Sequence, residues 1–599
     1  MSGLIVALRT DGGPIAPGLI ERLTAPLAVR GPDALATWRG EDAALGWARL
    51  QVGTQHDVQP LTVDGERWIV ADARIDDRRA VAKALGIRTE VTSDAEMILR
   101  AFLKWGETCV NHLIGDFAFA IWDRRSRRLF CARDHLGVRP LYYVSARSWL
   151  LVSSSVNSLR CHSAVSAALD DRAVSDFLLF GHNAGPSATT FRDIRRLPPA
   201  HSLRWSSGDG CCVRRYWELP MEEPVYRKDE ECAAEFRDLL DTAIVDRLRG
   251  QRVGVMFSGG LDSATIAARA RRNCASEGVR AFSFTRESIP SDADRQYAAA
   301  AATHLGIRCD FYEADSSDGA AVRDFGFTPE PIVQPVAPRA QRRYLRDMAA
   351  HSRVAFSGEG PDNALLYEWS GYVRHLWRRG ALGQIACDAI TFLRHHRRLP
   401  LWPTILRRRT TPPADSCSPI PPWMPADLVQ RLELDDRWRD VMRPPHSRHP
   451  VRPAASFSLQ MPLWQTMHNE WDPCYTGVGL ELCHPFLDLR VLRFLLSVPV
   501  IPWCRDKHLL RYAFRGDLPR SVRVRPKTPL PQSLDLASIR RGGVPPIVRS
   551  DRLEEYASLS ADKPLTVDDA ASAESTVRLA TFSHWLAHLD SQNAATAPD

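Results

Sequence analysis

The chain has 599 residues, 44% of them hydrophobic and 25% charged, with a formal net charge of +7. It is too long for one ordinary core and too apolar to be disordered or fibrous, so two domains are expected. The excess of basic residues is scattered over many arginines with no recognisable module, which argues against nucleic acid. No apolar run is long enough to span a bilayer, so a cytoplasmic protein with no membrane partner is expected, and the 13 cysteines, without a Cys-x-x-Cys pair, read as reduced thiols.

In chain order, the first third predicts short strands at Leu4 to Leu8, Trp68 to Ala71, Phe117 to Trp122, Arg128 to Ala132 and Leu141 to Val144. The pattern changes around Tyr216 to Pro220, and a charged stretch through Lys228 leads into a predicted helix from Glu231 to Leu248. Beyond it, strands at Arg252 to Phe257, Val279 to Phe284 and near Asp310 to Glu313 alternate with helices at Ala264 to Arg272 and Asp294 to His304. Such alternation predicts a parallel sheet that binds ligands at its carboxyl edge. The Pro- and Arg-rich segment from about Leu399 to Pro453 predicts an irregular insertion, and the polar tail after Asp590 predicts disorder.

Three motifs carry chemistry. Phe257-Ser258-Gly259-Gly260-Leu261-Asp262-Ser263 joins a strand to a helix, so its backbone N–H groups and the helix N-terminus converge on an anion. The lysine of a Walker loop is missing, while Asp262 suits Mg²⁺ shared between a carboxylate and substrate phosphates; ATP with pyrophosphate as leaving group is the expected ligand. Ser357-Gly358-Glu359-Gly360-Pro361-Asp362-Asn363 follows a second apolar strand, Arg353 to Phe356, and offers Asp362 as a second Mg²⁺ ligand. The third is Arg523-Val524-Arg525-Pro526-Lys527, with Lys507 and Arg511 upstream; Lys527 is placed to offset charge on phosphates or an oxyanion.

In this order the motifs resemble the glutamine-dependent asparagine synthetase superfamily. Arg30 to Asp33, Ser93 to Glu96, Leu113 to Asp123, Ala132 to Tyr143 and Glu481 to Asp488 carry the resemblance over most of the chain. It implies an N-terminal α+β Ntn-hydrolase-like αββα sandwich over 1–215 and a C-terminal α/β domain of the PP-loop ATP pyrophosphatase type over 225–590. By position in that fold, adenine is expected near Phe257 and Phe284, pyrophosphate on Ser258 to Ser263 with Ser357 and Gly358 nearby, and Mg²⁺ between Asp262 and Asp362. Lys527 is expected to stabilise an oxyanion, and Glu359 to orient ATP or the amine.

Two departures matter. A working glutaminase of this family exposes a cysteine as its second residue, where this chain has Ser2, and the family's Asn-Gly-Glu segment appears as Asp72-Ala73-Arg74. The first domain is therefore expected to keep its fold and release no ammonia. Relatives with that defect include β-lactam synthetases and lasso-peptide cyclases, and the run from Asp362 through Asn363 to Trp369 resembles the latter. This resemblance implies adenylation of an Asp or Glu side chain of a precursor peptide and macrolactam closure by its N-terminal amine, with a leader peptidase and a leader-recognition protein as partners. A small-molecule amide synthetase, an ammonia-dependent asparagine synthetase and a non-catalytic nucleotide-binding protein stay open as alternatives.

Overall fold

In a computed structural model the chain is described over residues 1–53, 57–89, 92–249, 252–285, 294–313, 328–333, 338–397, 420–442, 449–526, 533–559 and 565–596. Lys527 and, within the Leu399 to Pro453 insertion, residues 399–419 and 443–448 lie outside the described residues.

Twelve strands build the first domain: β1 (Gly3–Arg9), β2 (Ala34–Arg39), β3 (Ala43–Arg49), β4 (Leu61–Thr62), β5 (Arg67–Ile75), β6 (Gly115–Asp123), β7 (Arg128–Arg133), β8 (Tyr142–Ala146), β9 (Trp149–Ser153), β10 (Arg195–Arg196), β11 (His201–Ser206) and β12 (Gly210–Arg215). They form two six-stranded sheets in the orders β10-β8-β9-β1-β3-β2 and β12-β11-β7-β6-β5-β4. Alternation in β1 shows why the sheets stack. Leu4, Val6 and Leu8 meet Val70, Ala118, Ala120 and Trp122 of the facing sheet, whereas Ile5 and Ala7 join Ile20 and Leu23 of an outer helix, Leu19–Thr24. On the far side, Ile69, Phe117 and Phe119 pack on Ile98 and Leu99 of the helix Asp94–Trp105, which Ser93 caps by accepting from the Glu96 N–H. The result is the expected helix–sheet–sheet–helix sandwich.

The second domain begins with the helix Asp229–Leu248. Its sheet is parallel, in the order β15-β14-β13-β16-β17, with β13 at Val253–Met256, β14 at Val279–Thr285, β15 at Arg308–Glu313, β16 at Val354–Phe356 and β17 at Glu481–Cys483. From β13 the chain runs outward on one side to β15 and then returns to β16 on the other. β13 and β16 therefore flank the switch point of the sheet, where open α/β folds bind ligands.

Packing does not respect the linker. Trp423, Met424, Leu428, Leu434, Leu553, Tyr556, Phe582, Trp585 and Leu586, all late in the chain, share one core with Phe177, Leu178, Phe191 and Ile194 of the first domain. The described part of the expected irregular insertion includes two helices, Ala426–Arg431 and Leu434–Met442, and its apolar residues fill that core. The tail, expected to be disordered, belongs to a helix, Ala570–Thr596, that continues past Asp590 to the end of the described chain. Its apolar face has a partner, and burial outweighs the polar composition of its end.

Candidate active site

The two glycine loops leave adjacent strands and touch. Ser258 N–H donates to Ser263 Oγ at 3.2 Å and Gly260 N–H to Ser258 Oγ at 3.3 Å, which folds the first loop back onto the start of the helix Leu261–Asn273. Gly259 sits at φ +65°, and a Cβ there would lie 2.3 Å from the Ala298 backbone nitrogen. A Cβ on Gly358 would lie 2.9 Å from the Ser263 nitrogen, so the second loop also needs a glycine to approach the first. The helix beginning at Leu261 has no side-chain cap, which leaves its first N–H groups to an anion.

Asp262 and Asp362, 100 residues apart in the chain, reach the same ammonium group. Lys507 Nζ donates to the Asp262 carboxylate and lies 2.7 Å from Asp362 Oδ1. Burial opposes charge on Lys507, but the two carboxylates outweigh it and push its pKa up, so the ammonium is retained. The sequence reading expected Mg²⁺ between these acids; in this structure the lysine lies between them. Two carboxylates converging on one point are hard oxygen donors of the kind Mg²⁺ takes together with phosphate oxygens, so the residues fit the ion. In the sequence Lys507 lies 20 residues upstream of Lys527, and nothing local marks it as a partner of Asp262.

The other expected residues divide. Ser357 is buried and its N–H donates to Cys483 O at 3.0 Å, which fixes the second loop to β17. Glu359 is exposed at the tip of that loop, its N–H donating to Ser357 Oγ at 3.2 Å. Phe257 and Phe284 do not converge. The Phe257 ring lies in the core on one face of the sheet, and Phe284 packs against Tyr344 on the other at 5.8 Å, because successive strand side chains alternate. His484 is fully inside, 5.2 Å from His468, with burial lowering its pKa to about 4; it packs rather than faces a ligand.

The approach to Lys527 is fixed as far as the structure describes it. Arg511 donates to the Arg523 carbonyl and, at 2.9 Å, to the Arg525 carbonyl, and Arg525 pairs with Asp294 while lying 4.2 Å over the Tyr297 ring. The run after Asp362 is an anchor. Asn363 Nδ2 donates to Ser458 Oγ at 2.6 Å, and the Glu368 carboxylate accepts from the Ala454 N–H and, at 3.1 Å, from the Ala455 N–H, at the start of the helix Pro453–Ser458. These side chains hold a neighbouring helix, so their variation is not by itself a contact with substrate.

The residues at the expected glutamine site of the first domain are bound into charge pairs. Asp72 accepts from the Ser2 N–H at 3.0 Å and from Arg30 Nη2 at 2.8 Å, and Arg30 also pairs with Asp472 from the second domain. Ser2 Oγ accepts from the Leu50 N–H at 3.2 Å. Arg74 reaches Asp76 at 2.8 Å, Asp116 at 2.6 Å and Glu481 at 3.0 Å, and Arg139 also binds Glu481. Burial alone would raise the Glu481 carboxyl, but Arg139 and Arg74 bring it well below the usual carboxylate range. Where the resemblance expects an acid for glutamine, Arg74 therefore joins a buried ion cluster that ties the two domains together.

Residues 1–217 match the family model of the glutamine amidotransferase domain, and residues 235–586 match that of asparagine synthase. Among curated proteins the chain is 34% identical over 267 residues to asparagine synthetase [glutamine-hydrolyzing] 3 of Bacillus subtilis, covering 43% of each chain. It is 28% identical over 399 residues to a putative asparagine synthetase [glutamine-hydrolyzing] of Mycobacterium tuberculosis, covering 60% of this chain and 59% of that one. Over a longer stretch of 554 residues it is 22% identical to asparagine synthetase [glutamine-hydrolyzing] 2 of Bacillus subtilis, covering 85% of this chain and 68% of that one. The matches thus span about half the length of the first two relatives. With the asparagine synthase model matched from 235 to 586 of 599 residues, behind a glutamine amidotransferase-type domain, the chain belongs to the asparagine synthase family.

Proposed function

We propose that this protein is an ATP-dependent carbon–nitrogen ligase that activates a carboxylate as an acyl-adenylate and couples it to an amine other than ammonia released from glutamine. Within that class we favour a peptide macrolactam synthetase of the lasso-cyclase kind. The observation that carries the ligase reading is the convergence of Asp262, Asp362 and Lys507 between two glycine loops at the switch point of the parallel sheet. Ser2, Asp72 and Arg74, bound into charge pairs and backbone contacts, support an amine source other than glutamine.

In this reading the pyrophosphate of ATP lies against the backbone of Ser258 to Ser263 and the uncapped helix behind it. Mg²⁺, held by Asp262 and Asp362, would neutralise charge on the phosphates. Lys507, displaced from the carboxylates, pairs with phosphate oxygens and offsets part of their charge. A carboxylate oxygen of the peptide attacks the α-phosphorus and expels pyrophosphate. The N-terminal amine then attacks the acyl carbon and expels AMP, with a proton lost from nitrogen, so the peptide sheds one water overall. The second step gains most from holding amine and acyl carbon close in a folded peptide.

The test supplies purified protein with ATP, Mg²⁺ and a synthetic core peptide bearing a free N-terminus, and follows AMP and peptide mass. AMP paired with a peptide lighter by one water supports the macrolactam reading. AMP formed with aspartate and ammonium, the peptide unchanged, replaces it with the activity that the names of the relatives describe.

A further inference from the structure

A helical hairpin leaves the second glycine loop and carries an apolar face with nothing on it among the described residues. Its arms are Trp369–Arg378 and Leu382–His396. On the inner side, Tyr372 donates to Asp388 at 2.6 Å, and Phe392 packs beneath the Arg505 guanidinium at 5.1 Å. His395 bonds Asp229 at 3.0 Å and His508 at 3.1 Å, and His508 directly follows Lys507. The hairpin is thus rooted at one end in the Asp362 loop and rests along its inner side on the segment that carries Lys507.

Its outer side is different. Leu382, Ala386, Ile390 and Leu393 recur at helical spacing, and all four are exposed. Leu382 is 56% exposed, Ile390 52% and Leu393 44%, and Trp377, near the turn, is 67% exposed. Around them stand Arg374, Arg378, Arg379, Arg394 and Arg397, all exposed, while the one acid between Trp369 and Arg397, Asp388, is buried. Exposed tryptophan and arginine beside aliphatic side chains is the composition of a binding surface.

The charge selects the occupant. A second copy docking by a two-fold axis would bring the same arginines face to face, which opposes self-pairing. Glu222 and Glu223 beside the hairpin pair with Arg493 and Arg379, so of the five exposed arginines only Arg379 has an acidic partner shown among the described residues, and the face favours an acidic partner. The stripe from Leu382 to Leu393 is about 17 Å long, about three turns of a helix laid along it. We infer that the outer face of this hairpin is a docking surface for an acidic amphipathic helix of a partner polypeptide. The inference stands apart from the ligase reading, since it concerns binding rather than turnover.

The experiment measures fluorescence anisotropy with the full chain and a labelled synthetic peptide of about 18 residues, about five helical turns, with leucines on one face and glutamates elsewhere. Saturable binding is expected, at least about tenfold tighter than for a scrambled peptide or a version with lysine for glutamate. Trp377→Glu and Ile390→Glu should each weaken it at least about tenfold with the melting temperature unchanged. Equal binding of all three peptides, or none, overturns the proposal. So does binding to phosphatidylglycerol vesicles, or self-association in sedimentation, that Ile390→Glu abolishes while peptide binding stays weak. Binding that appears only after residues 399–419 are deleted would make the chain's own segment the occupant, and would also overturn it.

Discussion

The two domains each bring acids together at the place where the family resemblance expects a site, and they treat those acids in opposite ways. In the first, Asp72, Asp116 and Glu481 are matched by Arg30, Arg74 and Arg139 in the buried seam between the domains. In the second, Asp262 and Asp362 both reach Lys507, and Asp362 keeps 46% of its side chain in solvent. A polar group satisfied deep in the protein has little to offer a ligand, and two acids that converge within reach of solvent beside an uncapped helix retain that capacity. The contrast separates a structural use of charge from a chemical one.

The largest effect is expected from breaking up the buried charge cluster of the first domain. Arg74→Ala leaves Asp76, Asp116 and Glu481 buried without their shared guanidinium, and should cost about 3–5 kcal/mol of stability in urea unfolding. A loss below about 1 kcal/mol would mean the cluster is not what joins the domains. Next in size, Asp262→Ala should cut ATP-dependent AMP formation by at least about 100-fold with the fold intact by circular dichroism. Retained turnover would remove Asp262 from the reacting site.

Acid should loosen the seam in a predictable direction. Burial lowers His135 and His484 to about 4, each with Asp116 as a weaker opposing influence, and burial with Arg452 nearby lowers His449 to about 4. Their folded pKa values lie below the unfolded one, so the unfolded chain takes up protons first as pH falls. The stability these groups contribute is complete above about pH 6.5 and is lost toward pH 4, by about 1 kcal/mol for each histidine between pH 7.5 and 5.5. Melting temperatures across that range test it, and a flat profile would show that these rings are not held neutral. The smallest effect is expected at Ser2: Ser2→Ala should leave AMP formation unchanged, and a loss of activity would return a catalytic role to the first domain.

Much of this was legible because it is local. Alternation in Leu4 to Leu8 sets a strand buried on both faces, and the strand, glycine turn and helix around Ser258 set an anion loop, since pleat and backbone freedom act over a few residues. Asp72-Ala73-Arg74 was readable as a departure from a family pattern, but not as a bridge to Glu481. The run from Asp362 to Trp369 looked like a marker of substrate class, and its Asn363 and Glu368 turn out to hold a neighbouring helix.

By itself the sequence determined two domains, a strand-rich first third, the alternating strands and helices of a parallel sheet, and the two loops, because periodicity and turn chemistry are properties of neighbouring residues, while the sandwich followed from the family resemblance. Tertiary structure decided that Lys507, 245 residues after Asp262, lies between the two acids. It also brought Asp472 and Glu481 across the domain seam to Arg30 and Arg74, and set Trp585 in the core of the first domain. Pairing at such separation depends on the path of the whole chain and on which charges burial forces to find partners, and no local pattern encodes either.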